Sequence, residues 1–379
     1  MQLALCNIMA RNTAEHSTGY EPALDGVRGL AIIMVLASHF FYTVIFCQAG
    51  WMGVDLFFVL SGYLIAAKFI RQPLSVKLVS TFFRNRALRI LPLYLLFVAT
   101  FFLLSIVKNE YVPVPDTGFF WGKHLLMIQN WIYVCSLPGS ATYNPLLHLW
   151  SVGVEEQFYI AFPLIIATLA LVKKKIPWLI AAIVIIAILR SIDFNYHHFD
   201  EGRFRYYCNT LYRLDTFLAG ILLAVILNEK KNAGRLFNYF LAAFLIALCL
   251  YLFAILYNKD VSANNPLITT GGFTIIAVLF MSLLYFIKTG KPRWLQQLFS
   301  NRFLVLSGKI SYGLYIAHFA LDFYSYALRN KFFGFLFNAF DRTTAQTIFS
   351  FILIALLYGI CYISYISYES YFLRMKRKY

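Results

Sequence analysis

Residues 24–40 read Leu24-Asp25-Gly26-Val27-Arg28-Gly29-Leu30-Ala31-Ile32-Ile33-Met34-Val35-Leu36-Ala37-Ser38-His39-Phe40. The run is apolar enough for lipid, yet it carries an aspartate, an arginine and a histidine. Positions 28 and 39 are eleven apart, which on a helix at about 100° per residue leaves them about 20° apart on one face. Asp25 falls on nearly the same side. The rise between Arg28 and His39 is roughly 16 Å, so they occupy different depths. Charge at bilayer depth costs at least a few kcal/mol, so each of these residues needs a reason. The plain reading has Arg28 snorkelling to the inner interface, paired to Asp25, and His39 as a hydrogen-bonded packing residue. The functional reading makes His39 a general base or nucleophile, because imidazole changes charge near neutral pH.

Composition supports a lipid setting. Charged residues are only 13% of the chain and hydrophobic residues 60%, about half and well above the usual shares for a soluble domain. The net charge of +16 raises the thought of nucleic acid. The cations are not pooled into a basic domain, however, but sit in short clusters between apolar runs, which is how charge fixes membrane topology. No nucleic-acid partner is expected. The cysteines, Cys6, Cys47, Cys135, Cys208, Cys249 and Cys361, are scattered without a CxxC pair, so neither a disulfide framework nor structural zinc is expected. Leu-Ala-Leu before Cys6 faintly resembles a lipoprotein cleavage site, but the apolar stretch is too short for a signal.

Apolar runs able to cross a roughly 30 Å hydrocarbon core fall near 29–48, 52–70, 90–107, 151–172, 177–192, 214–228, 236–257, 267–287, 303–324 and 347–368. The stretch 119–134, interrupted by Lys123 and His124, reads as an amphipathic or re-entrant segment. Every second connection is basic: Arg71 to Arg89, Lys173 to Lys175, Lys230 to Arg235, Lys288 to Arg302, and the tail Arg374, Lys376, Arg377, Lys378. The positive-inside rule then predicts an all-α integral membrane protein of about ten transmembrane helices with both termini cytoplasmic. The expected organisation is a cytoplasmic tail over 1–20, one transmembrane domain over 21–372 and a basic cytoplasmic tail over 373–379.

Other ionisable residues cluster within the spans. Asp55 opens the second span and is expected within reach of His39, where a carboxylate orients an imidazole; Ser61 follows it. His148 and Glu155 share a helix face with Ser151 between them, and Glu156 adds a second carboxylate. Arg213-Leu214-Asp215 resembles a buried ion pair, and Ser311, Tyr315 and His318 lie on one face of the ninth span. These two groups read equally well as interhelical hydrogen bonding. His197-His198 lies in an aqueous loop without a third ligand, so no metal site is expected.

In order along the chain, five motifs together resemble the membrane-bound acyltransferase 3 family. They are the Arg28-to-His39 spacing after Leu24-Asp25-Gly26, Gly53-Val54-Asp55-Leu56-Phe57-Phe58-Val59-Leu60-Ser61-Gly62-Tyr63, Arg84-Asn85-Arg86-Ala87-Leu88-Arg89-Ile90-Leu91-Pro92-Leu93-Tyr94, His148 to Tyr159, and Ser311-Tyr312 through His318. Tyr63 stands where the family more often has Phe. The resemblance implies transfer of an acyl group, commonly acetyl, from cytoplasmic acyl-CoA to a hydroxyl of a cell-surface or exported polysaccharide. The setting it implies is the bacterial cytoplasmic (inner) membrane, in a multi-pass protein.

The resemblance makes Arg28 and His39 the essential pair of the first span. Arg28, Arg84, Arg86 and Arg89 would bind the donor phosphates, with His39, Asp55, Glu155 and Glu156 as the catalytic set. Asp25, Ser61, His148, Ser151, Arg213, Asp215, Ser311, Tyr315 and His318 would support them. Acyl-CoA is expected as a substrate rather than a tightly bound cofactor. The expected partners are a saccharide or lipid-linked glycan acceptor, entering near the aromatic loop from Asp193 to Tyr212, and the bilayer. The hydrolase-like extracellular domain of some relatives is not in this sequence, so the chain would finish transfer itself or hand over to a partner. The leading alternative is a proton-coupled transporter or flippase of an amphipathic substrate, which buried Arg, His and Glu serve equally well; against it, no inverted repeat is visible. An inactive scaffold is the third reading.

Overall fold

The computed structural model describes residues 20–108, 117–131, 144–196, 204–229 and 233–376. Among them there is no strand. The long helices are α1 (Pro22–Phe40), α2 (Gly53–Phe69) and α3 (Val76–Lys108), followed by the short α4 (Thr117–Leu125). Then come α5 (Trp150–Leu171), α6 (Lys175–Tyr196), α7 (Thr210–Glu229), α8 (Phe237–Asn258) and α9 (Phe273–Thr289). The set closes with α10 (Arg302–Lys309), α11 (Ser311–Phe323) and α12 (Arg342–Ser364). Among the described residues nine helices are long and apolar enough to cross a membrane, and the bent pair α10–α11 makes a tenth. The exposed faces of α6 and α8 carry Ile185, Ile188, Leu189, Leu252, Phe253 and Leu256, an apolar belt suited to lipid.

The boundaries depart from expectation in instructive places. The first span, expected at 29–48, runs from Pro22 to Phe40. Proline is favoured at a helix start because its missing N–H is not needed there, so Asp25 and Arg28 lie in the first turns. The third span, expected at 90–107, begins at Val76 and continues through Pro92, so the arginine cluster rides on the helix that crosses. In its described residues, up to Trp131, segment 119–134 forms no span: α4 ends at Leu125, and Met127, Gln129 and Asn130 beyond it are buried. Its buried Gln129 and Asn130 donate to the carbonyls of Leu149 and Cys208, which satisfies irregular backbone away from lipid.

The ninth span is broken. α10 and α11 meet at 73°, and the Ser311 hydroxyl donates to the Gly308 carbonyl at 2.8 Å to serve one group exposed by the break. α10 lies against α1 so closely that a Cβ on Gly308 would stand 1.8 Å from the Asp25 carbonyl oxygen. Only glycine allows that approach. α2 and α7 cross in the same way, with a Cβ on Gly62 falling 2.2 Å from the Phe217 carbonyl oxygen. α12 is capped by Asp341, whose carboxylate accepts from the Thr343 and Thr344 N–H groups, and it continues through a π-turn (Tyr365–Glu369) to Arg374.

Candidate active site

Two cavities share a wall at one end of the bundle. The end cavity, with about 770 Å³ of atom-free space including its mouth, is lined by Arg28, Lys68, Asn85, Arg86, Arg89 and Lys376 among others. Five of its lining residues are cations, and among the described residues no carboxylate lines it. Arg28, Arg86 and Arg89 also line the second, deeper chamber of about 720 Å³. There the wall turns apolar through Val54, Phe57 and Ile90, with Ser61, Ser151, Glu155 and Tyr159 among its polar points. A basic mouth thus leads to a half-apolar chamber.

The polar points are tied together. Ser61 donates to Glu155 Oε1 at 2.5 Å, and Tyr159 donates to the same oxygen. Arg86 Nη1 donates to the Tyr159 hydroxyl at 3.2 Å, and its guanidinium lies 4.7 Å from the Tyr159 ring centre. Arg28 is paired to Asp25, whose other oxygen accepts from Tyr20 at 2.9 Å. Burial and the neighbouring cations Arg89, Arg86, Arg28 and Lys68 push the Lys376 ammonium down to about 7.

Ser151 and Tyr315 stand at the far side of the chamber. Their hydroxyls meet at 2.5 Å, and Tyr315 also donates to the His148 carbonyl at 3.1 Å. Next to them lies a histidine cluster. His148 and His318 have ring centres 5.1 Å apart, and His318 and His39 4.9 Å apart. His148 Nε2 meets the Ile316 carbonyl at 3.0 Å and His318 Nδ1 the Tyr315 carbonyl at 2.6 Å. Their other ring nitrogens, both buried, have no hydrogen-bond partner among the described residues. His39 Nδ1 lies 3.6 Å from Asp322 Oδ2.

The expected site residues therefore divide. Arg28, Arg86, Arg89, Ser61, Ser151, Glu155, Ser311 and Tyr315 line the chamber. His39, His148 and His318 form the neighbouring cluster and, among the described residues, are not in the chamber wall. Arg84 is exposed on α3 and lines neither cavity. Glu156 is also outside both walls, and its Oε1 is buried without a partner among the described residues.

Asp55 was expected beside His39, but its carboxylate pairs with Arg213 in a fully buried contact. The expected Arg213–Asp215 pair is likewise re-partnered. Residues two apart on a helix point in different directions, so Asp215 pairs instead with Arg190 of α6 at 2.9 Å. Arg190 also donates to the Thr270 and Tyr212 carbonyls at 2.9 and 2.6 Å. Thr274 donates to Asp215 at 2.5 Å, and the Arg213 guanidinium lies 4.2 Å from the Phe273 ring centre.

Sequence reasoning passed over Lys68, Asn85, Lys376, Arg190 and Asp322. Signals existed for three of them. Lys68 follows Ser61 by seven residues on one helix face, Arg190 is a lone cation inside an apolar run, and Asp322 follows His318 by four. Among the described residues, no group of three or more His, Cys, Asp or Glu side chains is placed to hold a metal ion. His197-His198 lies outside the described residues. Only the ends of the aromatic loop, up to Tyr196 and from Phe204, are described.

A family model described as an acyltransferase domain matches residues 21–368. A relative from Staphylococcus aureus (strain MSSA476), carrying the name "Putative O-acetyltransferase", is 30% identical over 321 residues, covering 80% of this chain and 50% of its own length. The O-acetyltransferase OatA of Staphylococcus aureus (strain NCTC 8325 / PS 47) is also 30% identical over 321 residues, covering 81% of this chain and 51% of its own. The chain thus spans about half the length of these curated relatives. No solved structure matches.

Proposed function

The chain belongs to this acyltransferase family, and from that premise we propose that it is an acyl-CoA-dependent O-acetyltransferase acting on a cell-surface or exported polysaccharide. In this reading it lies in the bacterial inner membrane with its basic end toward the cytoplasm. The observation that carries the reading is the five-cation mouth opening into a half-apolar chamber. Coenzyme A presents a diphosphate and a 3′-phosphate, which several cations bind through charge-assisted hydrogen bonds. Its uncharged pantetheine arm suits the deeper chamber.

The chemistry follows from the groups beyond. The acceptor hydroxyl loses its proton to His39 as its oxygen attacks the thioester carbonyl. A C–O bond forms, the C–S bond breaks, and coenzyme A leaves as a thiol after taking up one proton. Ser61 becomes a donor to the developing oxyanion once its hydroxyl turns away from Glu155, which accepts its single proton in the resting arrangement. In the resting arrangement the Tyr315 ring meets His318, whose ring meets His39, so the thioester reaches His39 once these rings shift.

The test is turnover of labelled acetyl-CoA by purified protein in lipid, with mass spectrometry of surface glycans from cells with and without it. Thiol release together with a gain of one acetyl mass on a glycan is expected. Binding of acetyl-CoA without turnover, or transport of a substrate with no acyl transfer, sinks the proposal. His39→Ala is expected to abolish transfer at normal membrane abundance.

A further inference from the structure

An imidazole that acts as a base needs its other nitrogen held, because that contact selects the tautomer and fixes the ring. Most other carboxylates of the candidate set are already engaged. Asp55 is paired with Arg213 and Asp215 with Arg190, Asp25 with Arg28, and Glu155 accepts from Ser61 and Tyr159. Asp322 differs. It lies on α11 at the heptad spacing from Tyr315 and four residues past His318, so the three share one helix face, from which His318 and Asp322 reach His39 of α1. Its Oδ2 is 3.6 Å from His39 Nδ1. The His39 ring is further bounded by His318 and by Phe319, whose ring centre is 5.2 Å away and nearly perpendicular.

We propose that Asp322 is the positioning residue for His39, holding the proton on Nδ1 so that Nε2 presents its lone pair to the acceptor hydroxyl. The inference rests on the reading of His39 as the base. The Asp322 side chain is 23% and that of His39 30% exposed, so this pair is less enclosed than the fully buried Asp55–Arg213 pair. The 3.6 Å gap is typical of catalytic contacts that tighten when substrate binds. As His39 gains a proton the pair becomes a true ion pair, which stabilises the charge that develops during transfer.

The experiment compares Asp322→Asn, Asp322→Glu and His39→Gln in purified protein, reading kcat, KM for acetyl-CoA and thermal stability. Asp322→Asn is expected to lower kcat at least about tenfold, with donor KM and melting temperature near wild type, and Asp322→Glu to recover much of the loss. Wild-type kcat in Asp322→Asn alongside an inactive His39→Gln overturns the role of Asp322 and leaves the proposed function standing. Lost activity that tracks a lower melting temperature and is not recovered by Asp322→Glu also overturns it, in favour of a structural role. A fully active His39→Gln overturns the base reading itself.

Discussion

The Tyr315 hydroxyl meets the Ser151 hydroxyl at 2.5 Å, and the pair closes the chamber on the side facing the histidine cluster. The Tyr315 ring centre is 5.6 Å from that of His148 and 5.3 Å from that of His318, and His318 in turn meets His39, so Tyr315 is where the chamber wall touches the cluster. Removing the ring should join the two spaces and admit water to the thioester. Tyr315→Ala is expected to raise acetyl-CoA hydrolysis severalfold while lowering transfer to glycan. Tyr315→Phe, which keeps the ring, should hydrolyse near the wild-type rate. Thiol release without acceptor measures this directly, and an unchanged rate in Tyr315→Ala rules out the barrier.

The basic mouth makes a prediction with a built-in control. Hydrogen bonds to charged groups contribute about 1.5–3 kcal/mol each, so loss of one cation from the mouth should raise the donor KM about tenfold or more. Lys68→Ala suits the test because Lys68 lines the mouth but not the chamber, so kcat should hold. Arg84→Ala is expected to change KM less than about twofold, since Arg84 is exposed and lines neither cavity. Equal effects from the two variants would mean that charge steering, not contact, governs donor binding.

Lys376 adds a pH dependence. Burial and the surrounding cations lower its ammonium to about 7, so above pH 7 it is mostly neutral before the donor binds. Bound phosphates favour the charged form and raise that value. Donor binding therefore takes up a proton above pH 7, and donor affinity should weaken as pH rises through that range. Calorimetry in buffers of different ionisation enthalpy reads the proton uptake. Lys376→Arg, permanently charged, should flatten the Lys376-dependent part of the profile; a profile unchanged by that variant would remove Lys376 from the donor site.

How much of this was legible in the sequence depends on whether a signal is local. The spans were legible because hydrophobic length is read without tertiary context, and the Arg28–His39 register because helix geometry is fixed. The start of α3 at Val76 was hidden because arginines at 84, 86 and 89 look like a loop when hydropathy alone is summed. The break at Ile310 was hidden for the opposite reason. The run 303–324 is continuously apolar enough, and only the close contact of Gly308 with α1 shows why it bends. Partner choice is non-local altogether: Asp55 meets Arg213, and His39 meets Asp322, across distances no motif spacing records.

The Asp55–Arg213 pair gives the sharpest separation between structure and chemistry. Both side chains are fully buried, and the neighbouring Arg190–Asp215 pair is too, so α2, α6 and α7 are joined by four charges. Removing one partner leaves an uncompensated buried charge, which costs about 3–5 kcal/mol. Asp55→Ala is therefore expected to lose folded protein, read as a large fall in detergent melting temperature and membrane abundance. Whatever enzyme survives should keep a near-normal kcat. Removing both charges, as in Asp55→Leu with Arg213→Leu, should recover much of the stability, because no charge is then left unpaired. If Asp55→Ala instead folds normally and loses kcat alone, Asp55 belongs to the chemistry and the buried pair is not what keeps it there.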